Sequence, residues 1–448
     1  MGKLWQKKET SLDKDIELFE VGDDYLLDMH LAPFDLYGSS AHARMLNKIG
    51  ILSQSELDLI INGLKDIMKS IDEDTFQINI TDEDVHTKVE NILTEQIGDV
   101  GKKLHAARSR NDQVLVDLRL YAKHEIIKTI IKLLDLSTIL NDFAKKYEFI
   151  PMPGYTHMQL AMPSSVGMWA SSFVENIIEE LRIIESAFVL NNMNPLGSGA
   201  AYGVFLDIDR DYTTGLLGFD RTQKNSLYCS NSRGKVEAHV LNSLSGFGLI
   251  LNRIATDLLF FTTKEFEFFK TSDTIKTGSS IMPQKKNLDV MELIRGKTHI
   301  LLGYESQIKN IIANIPSGYN RDYQETKRLL INGFSLLQQM VKITKLVFLN
   351  LEPIEENLIN AHSPEIYAAD AAYRLVKKGV PFRKAYKEIG NNLDKLKSED
   401  PVKNIKSKTH VGSTGNLQLS KYDNEIQQNM QKWTKIKNEY RNKLEKLI

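Results

Sequence analysis

Apolar residues return at helical spacing through most of this chain. In "VLVDLRLYAKHEIIKTIIKLLDLSTILNDFAKKY", Leu115, Leu118, Ile126, Ile130, Leu133, Leu134 and Leu140 mark one stripe, and lysines and acids fill much of the rest. Five such stretches predict long helices, over 111–146, 164–192, 233–269, 288–313 and 322–349. Only 11 prolines punctuate 448 residues, which leaves these runs unbroken. Helices of roughly 25–35 residues are about 40–50 Å long, well beyond the usual globular helix. Rods of that length bury their stripes best side by side, so the expected fold is all-α with a central bundle of five long helices. Several stripes are broad, as in "LIRGKTHILLGYESQIKNIIANI". A helix that is apolar on more than one face needs partners on both sides, which predicts packing against copies of the same chain. The flanking patterns divide the chain into an N-terminal helical region (1–105), the bundle (106–355) and a small lysine-rich helical region (356–448). The tail, "KWTKIKNEYRNKLEKLI", reads as a solvated amphipathic helix.

Charge narrows the range of functions. Lysine and arginine (57) nearly balance aspartate and glutamate (58), for a net charge of −1. General binding to nucleic acid or to a membrane surface needs a basic footprint, so neither partner is expected. One cysteine, Cys229, excludes an intrachain disulfide and makes a cysteine metal site improbable. The first residues lack the apolar core of a secretory signal, and no run reads as long enough to cross a bilayer. The expected location is the cytosol.

Between the long stripes lie segments rich in small, polar and cationic groups: "TDEDVHTKVE", "HAARSRNDQ", "PMPGYTHMQLAMP", "NPLGSGAAYG", "TGSSIMPQKKN" and "IPSGYNRDYQETK". Each falls near a predicted helix end, where loops carry function. In "GSSIMPQKKN" the spacing does not fit a phosphate-binding G-x-x-x-x-G-K-[ST] loop, and no strand precedes it. A mobile loop carrying a catalytic serine is the better reading. Ser279 and Ser280 bring hydroxyls, and Lys285 and Asn287 bring a cation and an amide suited to a carboxylate. His30, His42, His124, His239, His299 and His410 are scattered and take no role, and no His or paired-carboxylate spacing points to a metal.

"GSSIMPQKKN" resembles the G-S-S-x-M-P-x-K-x-N loop of the fumarase/aspartase superfamily. "PQKKN", "HAARSRNDQ" and "GYTHMQ" resemble the argininosuccinate lyase family in particular, and the likeness spans roughly 80–385. The resemblance implies cleavage of argininosuccinate to arginine and fumarate, in a homotetramer with shared sites and without a metal or organic cofactor. By the family pattern Ser279 is the base, Lys285 stabilises charge, and His157 pairs with Glu292 to handle a proton. Ser109, Arg110, Asn111, Thr156 and Asn287 match substrate contacts. Tyr319, Gln324 and Lys327 match positions that hold the arginine part. Asp84 and His86 match as well, without a defined role.

The chemistry suits these residue types. A base must take a weakly acidic proton beside a carboxylate, cations and amide donors must hold the aci-carboxylate that forms, and an acid must protonate the leaving nitrogen. A serine oxygen is a strong enough base only where Lys285 or loop N–H groups lower its pKa. Four departures from the family pattern stand out. "KLWQKKETSL" replaces the family's W-G-G-R-F opening, Gly22 falls near a usual serine, Gly234 stands for aspartate, and Leu288 stands for proline. Two other readings stay open: a lyase releasing fumarate from another amine, and an inert structural relative. The intact set of Ser279, His157, Lys285, Asn111 and Thr156 weighs against the second.

Overall fold

The structure, a computed structural model, describes residues 13–448. The altered "KLWQKKETSL" opening lies outside the described residues. The N-terminal part folds through α1 (Ala32–Lys48), α2 (Gln54–Asp72) and α3 (Val85–Ile97). Ser53 begins α2 with a reciprocal capping box, its Oγ accepting the Glu56 amide while the Glu56 carboxylate accepts the Ser53 amide. Five long helices follow: α4 (Arg110–Lys146), α5 (Val166–Asn191), α6 (Lys235–Phe261), α7 (Asp289–Ile312) and α8 (Thr326–Leu349). The all-α expectation holds, and the strands present are short two-stranded pieces. α4 packs on α5 and α8, while α6 packs on α5, α7 and α8.

Two apolar cores result. The main one gathers Leu118, Ile130, Ile177, Leu244, Leu301 and Phe334 from all five rods. The smaller one gathers Ile60, Leu64, Val89 and Leu93. α1 belongs to both, sending Leu36 and Leu46 into the smaller and Phe34 and Ala41 into the main core.

The structure departs from expectation at three places. α6 stops at Phe261 rather than near 269. Thr262 and Thr263 turn their hydroxyls back onto the carbonyls of Leu258 and Phe260, which competes with helix continuation. Phe266, Phe268 and Phe269 then fold back as an aromatic cluster with Phe261 and Trp169, and Phe269–Thr271 pairs antiparallel with Leu351–Pro353. The "PMPGYTHMQLAMP" segment is a hairpin of β1 (Pro151–Thr156) and β2 (Gln159–Ser165) rather than an irregular loop. The lysine-rich tail forms α9 (Leu419–Leu444), which is less solvated than expected. Its Ile426, Trp433, Tyr440 and Leu444 enter the main core, and the Tyr440 hydroxyl donates to Leu120 O at 3.1 Å. The lysines on its other face had concealed a spaced aromatic and aliphatic stripe.

By length and composition the run 226–261, which contains α6, would pass for a membrane span, against the expectation of none. Half of its most apolar window is buried inside the protein, as befits a helix packed between other helices. Large apolar side chains remain exposed on the rods: Ile183 and Val189 on α5, Leu249 and Phe260 on α6, Leu293 and Ile300 on α7.

Gly234 and Leu288 have structural explanations. Gly234 caps α6 at φ +76°, ψ −39°, and a Cβ there would lie 2.3 Å from Ile312 Cγ2. A side chain at 234 is excluded both by the backbone and by α7. Leu288 is buried in the main core at the start of α7.

Candidate active site

A cleft of about 180 Å3 opens where the N-terminal part meets the ends of α4 and α8. Of the residues singled out from the sequence, Asp84, His86, Arg110, Asn111, Tyr319, Gln324 and Lys327 line it together. Most are already engaged. Lys327 is 2 % exposed, with its ammonium 3.1 Å from Asp24 and bonded to Asp28. Burial opposes that charge, but the two carboxylates hold the lysine's pKa up. Lys327 is thus anchored in the floor of the cleft by two carboxylates. Arg110, matched to a substrate contact, lies 3.2 Å from Glu83 and 3.3 Å from Asp84 and donates to Thr87 Oγ1 at 2.7 Å. Gln324 donates to Glu20 O at 2.9 Å, beside Gly22. Tyr319 faces the Arg233 guanidinium at 5.7 Å, within cation–π range.

Asp84 is the N-cap of α3, its Oδ1 accepting both the amide and the hydroxyl of Thr87 at 2.8 Å. Burial pushes its carboxyl up, yet the charges of His86 and Arg110 and the Thr87 bonds bring it below the ordinary value. His86 Nδ1 sits 2.8 Å from Asp35 and 3.8 Å from Asp117, all three buried. Burial disfavours the imidazolium, but the Asp35 bond and the surrounding carboxylates raise it to about 9. The ligand atoms of the three lie within 4.8 Å of one another, but His86 Nδ1 is committed to its hydrogen bond with Asp35. Because the folded pKa lies above the unfolded value of about 6.5, this pairing adds stability below pH 6.5 and loses it as pH rises through about 9. The melting-temperature advantage of the wild type over His86→Gln should therefore shrink between pH 6.5 and 9.5. A constant difference across that range, measured by thermal denaturation, would show that His86 folds neutral.

Ser109 does not line the cleft. It caps α4 in a capping box, accepting the Asn111 amide at 3.3 Å while its own amide donates to Asp112 at 2.8 Å. The other Asp112 oxygen accepts the amides of Gly197 and Gly199 at 2.9 and 3.0 Å. The glycine turn is thus pinned to the start of α4.

The remaining candidates lie outside this cleft. His157 and Met158 form the tip of the β1–β2 hairpin at φ +53° and +60°. That left-handed pair is normally left to Asn or Gly and costs about 1–3 kcal/mol per residue. Thr156 and His157 are both exposed. Ser279, Lys285 and Asn287 lie on a loop closed by one rung, with Thr277 N donating to Asn287 O at 3.0 Å and Asn287 N to Thr277 O at 2.9 Å. Ser279 Oγ accepts the amides of Ile281 and Met282 at 3.3 and 3.1 Å. Those donors would favour an alkoxide over the hydroxyl. Lys286 is tied to Asp273, while Lys285 and Glu292 are exposed without an ion pair among the described residues. No bond joins Glu292 to His157 within one chain, among the described residues.

Sequence reasoning missed Asp24, Asp28 and Arg233, all in the cleft wall. Asp28 also accepts the Val85 amide at 3.1 Å, so it fastens α3 to the cleft. The i, i+4 spacing of Asp24 and Asp28, which puts both on one helical face, was the available signal.

Comparison with known proteins decides the family. A family described as lyase matches residues 3–303. Argininosuccinate lyase of Phocaeicola vulgatus is 40% identical over 415 residues, covering 93% of this chain and 92% of that protein. That of Thermotoga neapolitana is 38% identical over 395 residues, covering 88% and 99%. The chain belongs to the argininosuccinate lyase family. Membership makes it a lyase, as the resemblance implied. The fold extends further. An EDDS lyase in complex with formate superposes with TM-score 0.80 at 21% identity, covering 98% of this chain and 94% of that one. A class II fumarase from Schistosoma mansoni does so with TM-score 0.69 at 15% identity, covering 86% and 94%.

Proposed function

We propose that the protein cleaves argininosuccinate to arginine and fumarate in the cytosol, as a homotetramer whose sites are shared between copies. The observation that carries the sharing is how one chain distributes its groups. The cleft collects binding residues, but none of Ser279, Lys285, Asn287, Glu292, Thr156 and His157 lines it. Its volume, about 180 Å3, is below the roughly 300–1,000 Å3 of ligand pockets, so it fits one end of the substrate. Its mixed charges suit an amino-acid end that carries an amine, a carboxylate and a guanidino group. The exposed apolar residues of α5, α6 and α7 offer the surface on which copies associate.

In the assembled site, Ser279 reacts as its alkoxide, favoured by two loop amides, and becomes the hydroxyl as it takes the proton beside the succinyl carboxylate. Lys285 and Asn287 hold the negative charge that develops on that carboxylate. His157, oriented by Glu292 of another copy, protonates the departing nitrogen. Electrons pass from the broken C–H bond into the new C=C bond as the C–N bond breaks.

Mixing two inactive variants, Ser279→Ala and His157→Asn, tests the sharing. Equal mixing should restore about a quarter of wild-type activity, because each site then draws its serine and its histidine independently from two copies. The measurement is fumarate absorbance with argininosuccinate as substrate, after mixed tetramers are verified by mass. Mixed tetramers without activity would place each site within one chain. Wild-type protein that leaves argininosuccinate intact would overturn the substrate itself.

A further inference from the structure

Apart from the cleft, a cavity of about 650 Å3 lies between α1, α4 and α9, with a side pocket of about 270 Å3 running along α8. Its apolar wall is Phe34, Ile127, Ile131 and Leu444, with the rings of Tyr37, Tyr121 and Tyr440. The Tyr37 and Tyr121 hydroxyls have no hydrogen-bond partner among the described residues, whereas that of Tyr440 is spent on Leu120 O. Around the rim stand Lys128, Lys132, Lys342 and Lys437. The two acids present are occupied. Glu125 accepts from Lys128 at 2.9 Å and from Gln338 at 2.6 Å, and Glu445 pairs with Arg441 at 3.3 Å.

Lys132 donates only to the neutral Gln338 Oε1, at 3.0 Å. Lys342 and Lys437 have no carboxylate partner among the described residues. Burial first, and then the Lys128 and Lys342 charges, depress Lys132. Burial depresses His124, and Lys128 and Lys437 add to it against the opposing Glu125 carboxylate. Positive charge is thus in excess beside an apolar chamber with spare phenol donors. We infer that this cavity binds a small anion with an apolar body, a carboxylate or phosphate ester on an aromatic or aliphatic group, and that its occupancy alters the substrate cleft.

The coupling follows from shared elements. On α8, Lys327 in the cleft and Ile331 in the side pocket are one helical turn apart, about 6 Å. On α4, Val114 faces the cleft, and Tyr121 faces the cavity two turns on. On the segment before α1, Asp28 holds Lys327 while His30 lines the cavity. A ligand that draws Lys132 and Lys437 together across the cavity pulls on α4, and contact with Ile131 and the side pocket bears on α8. Differential binding between two placements of these helices is all that coupling requires.

The test uses the full tetrameric enzyme with phenyl phosphate as probe, in calorimetric titration and in steady-state kinetics. Phenyl phosphate should bind once per subunit in the presence of saturating arginine and fumarate. It should shift KM for argininosuccinate about threefold or more. The double variant Lys132→Gln, Lys437→Gln should keep its basal activity, weaken binding about tenfold and lose the KM shift. Tyr121→Phe, which keeps the ring, should weaken binding a few-fold without changing basal KM. Equal affinity in wild type and double variant would overturn the site, as would displacement of the probe by argininosuccinate. Inorganic phosphate binding as tightly as phenyl phosphate would overturn the apolar part. Binding without a KM shift would overturn the coupling. A changed molar mass of the double variant would identify the cavity as a contact between copies instead.

Discussion

Replacing Ser279 with alanine should lower kcat about a thousandfold or more while leaving the melting temperature and substrate binding close to wild type. Ser279 sits at the tip side of a closed loop, and its side chain supports no core packing. Its Oγ accepts two loop amides, and losing those bonds costs little in an exposed segment. The same two amides set Ser279 apart from the neighbouring hydroxyl. Ser280 is exposed, and no described amide converges on its oxygen. Fumarate release, followed by absorbance with a parallel binding measurement, gives the answer. A variant that turns over at near-normal rate would remove Ser279 from the role of base.

Replacing Lys327 with methionine should cost about 3–5 kcal/mol of stability, because it strands two carboxylates in a buried site. Asp28 is 1% exposed and Lys327 2%, so water cannot take over the lost contacts. Asp24, the second partner, is already pushed up by burial, and the Lys327 charge restrains it. A loss of this size is a large share of the 5–15 kcal/mol that holds a typical domain together. Neutralising a partner should recover part of it, so Lys327→Met, Asp28→Asn should be more stable than Lys327→Met alone. Chemical denaturation of the four proteins in this cycle measures the coupling. A single variant that loses less than about 1 kcal/mol would mean that the triad is not the strut of the cleft.

The rods were legible because their periodicity is long and nearly free of proline. α4, α5, α7 and α8 begin and end within a few residues of the stripes that predicted them. α6 was overrun because Phe266, Phe268 and Phe269 continue an apolar pattern that tertiary packing folds back instead. α9 was underrated because its lysines outnumber the aromatic positions that anchor it. Local motifs revealed the chemical types of the site, but not their state. Nothing in "RSRND" announces that Arg110 is held by Glu83 and Asp84, which come from a segment some 25 residues earlier. Nor does "YQETK" reveal that Lys327 is locked to Asp24 and Asp28, about 300 residues away in sequence. Such pairings depend on the path of the chain between the motifs, which no short window records.

The rung between Thr277 and Asn287 fixes what kind of motion the serine-bearing segment can make. Both ends of the flap are stitched to each other before any substrate arrives, so most of the disorder of a free ten-residue strand has been given up during folding. On the proposed mechanism, a substrate that closes this segment has only to swing a preformed ring about its base. More of its affinity is then left for steadying the reaction's charge, and lengthening the ring should slow the enzyme even with every reacting atom intact.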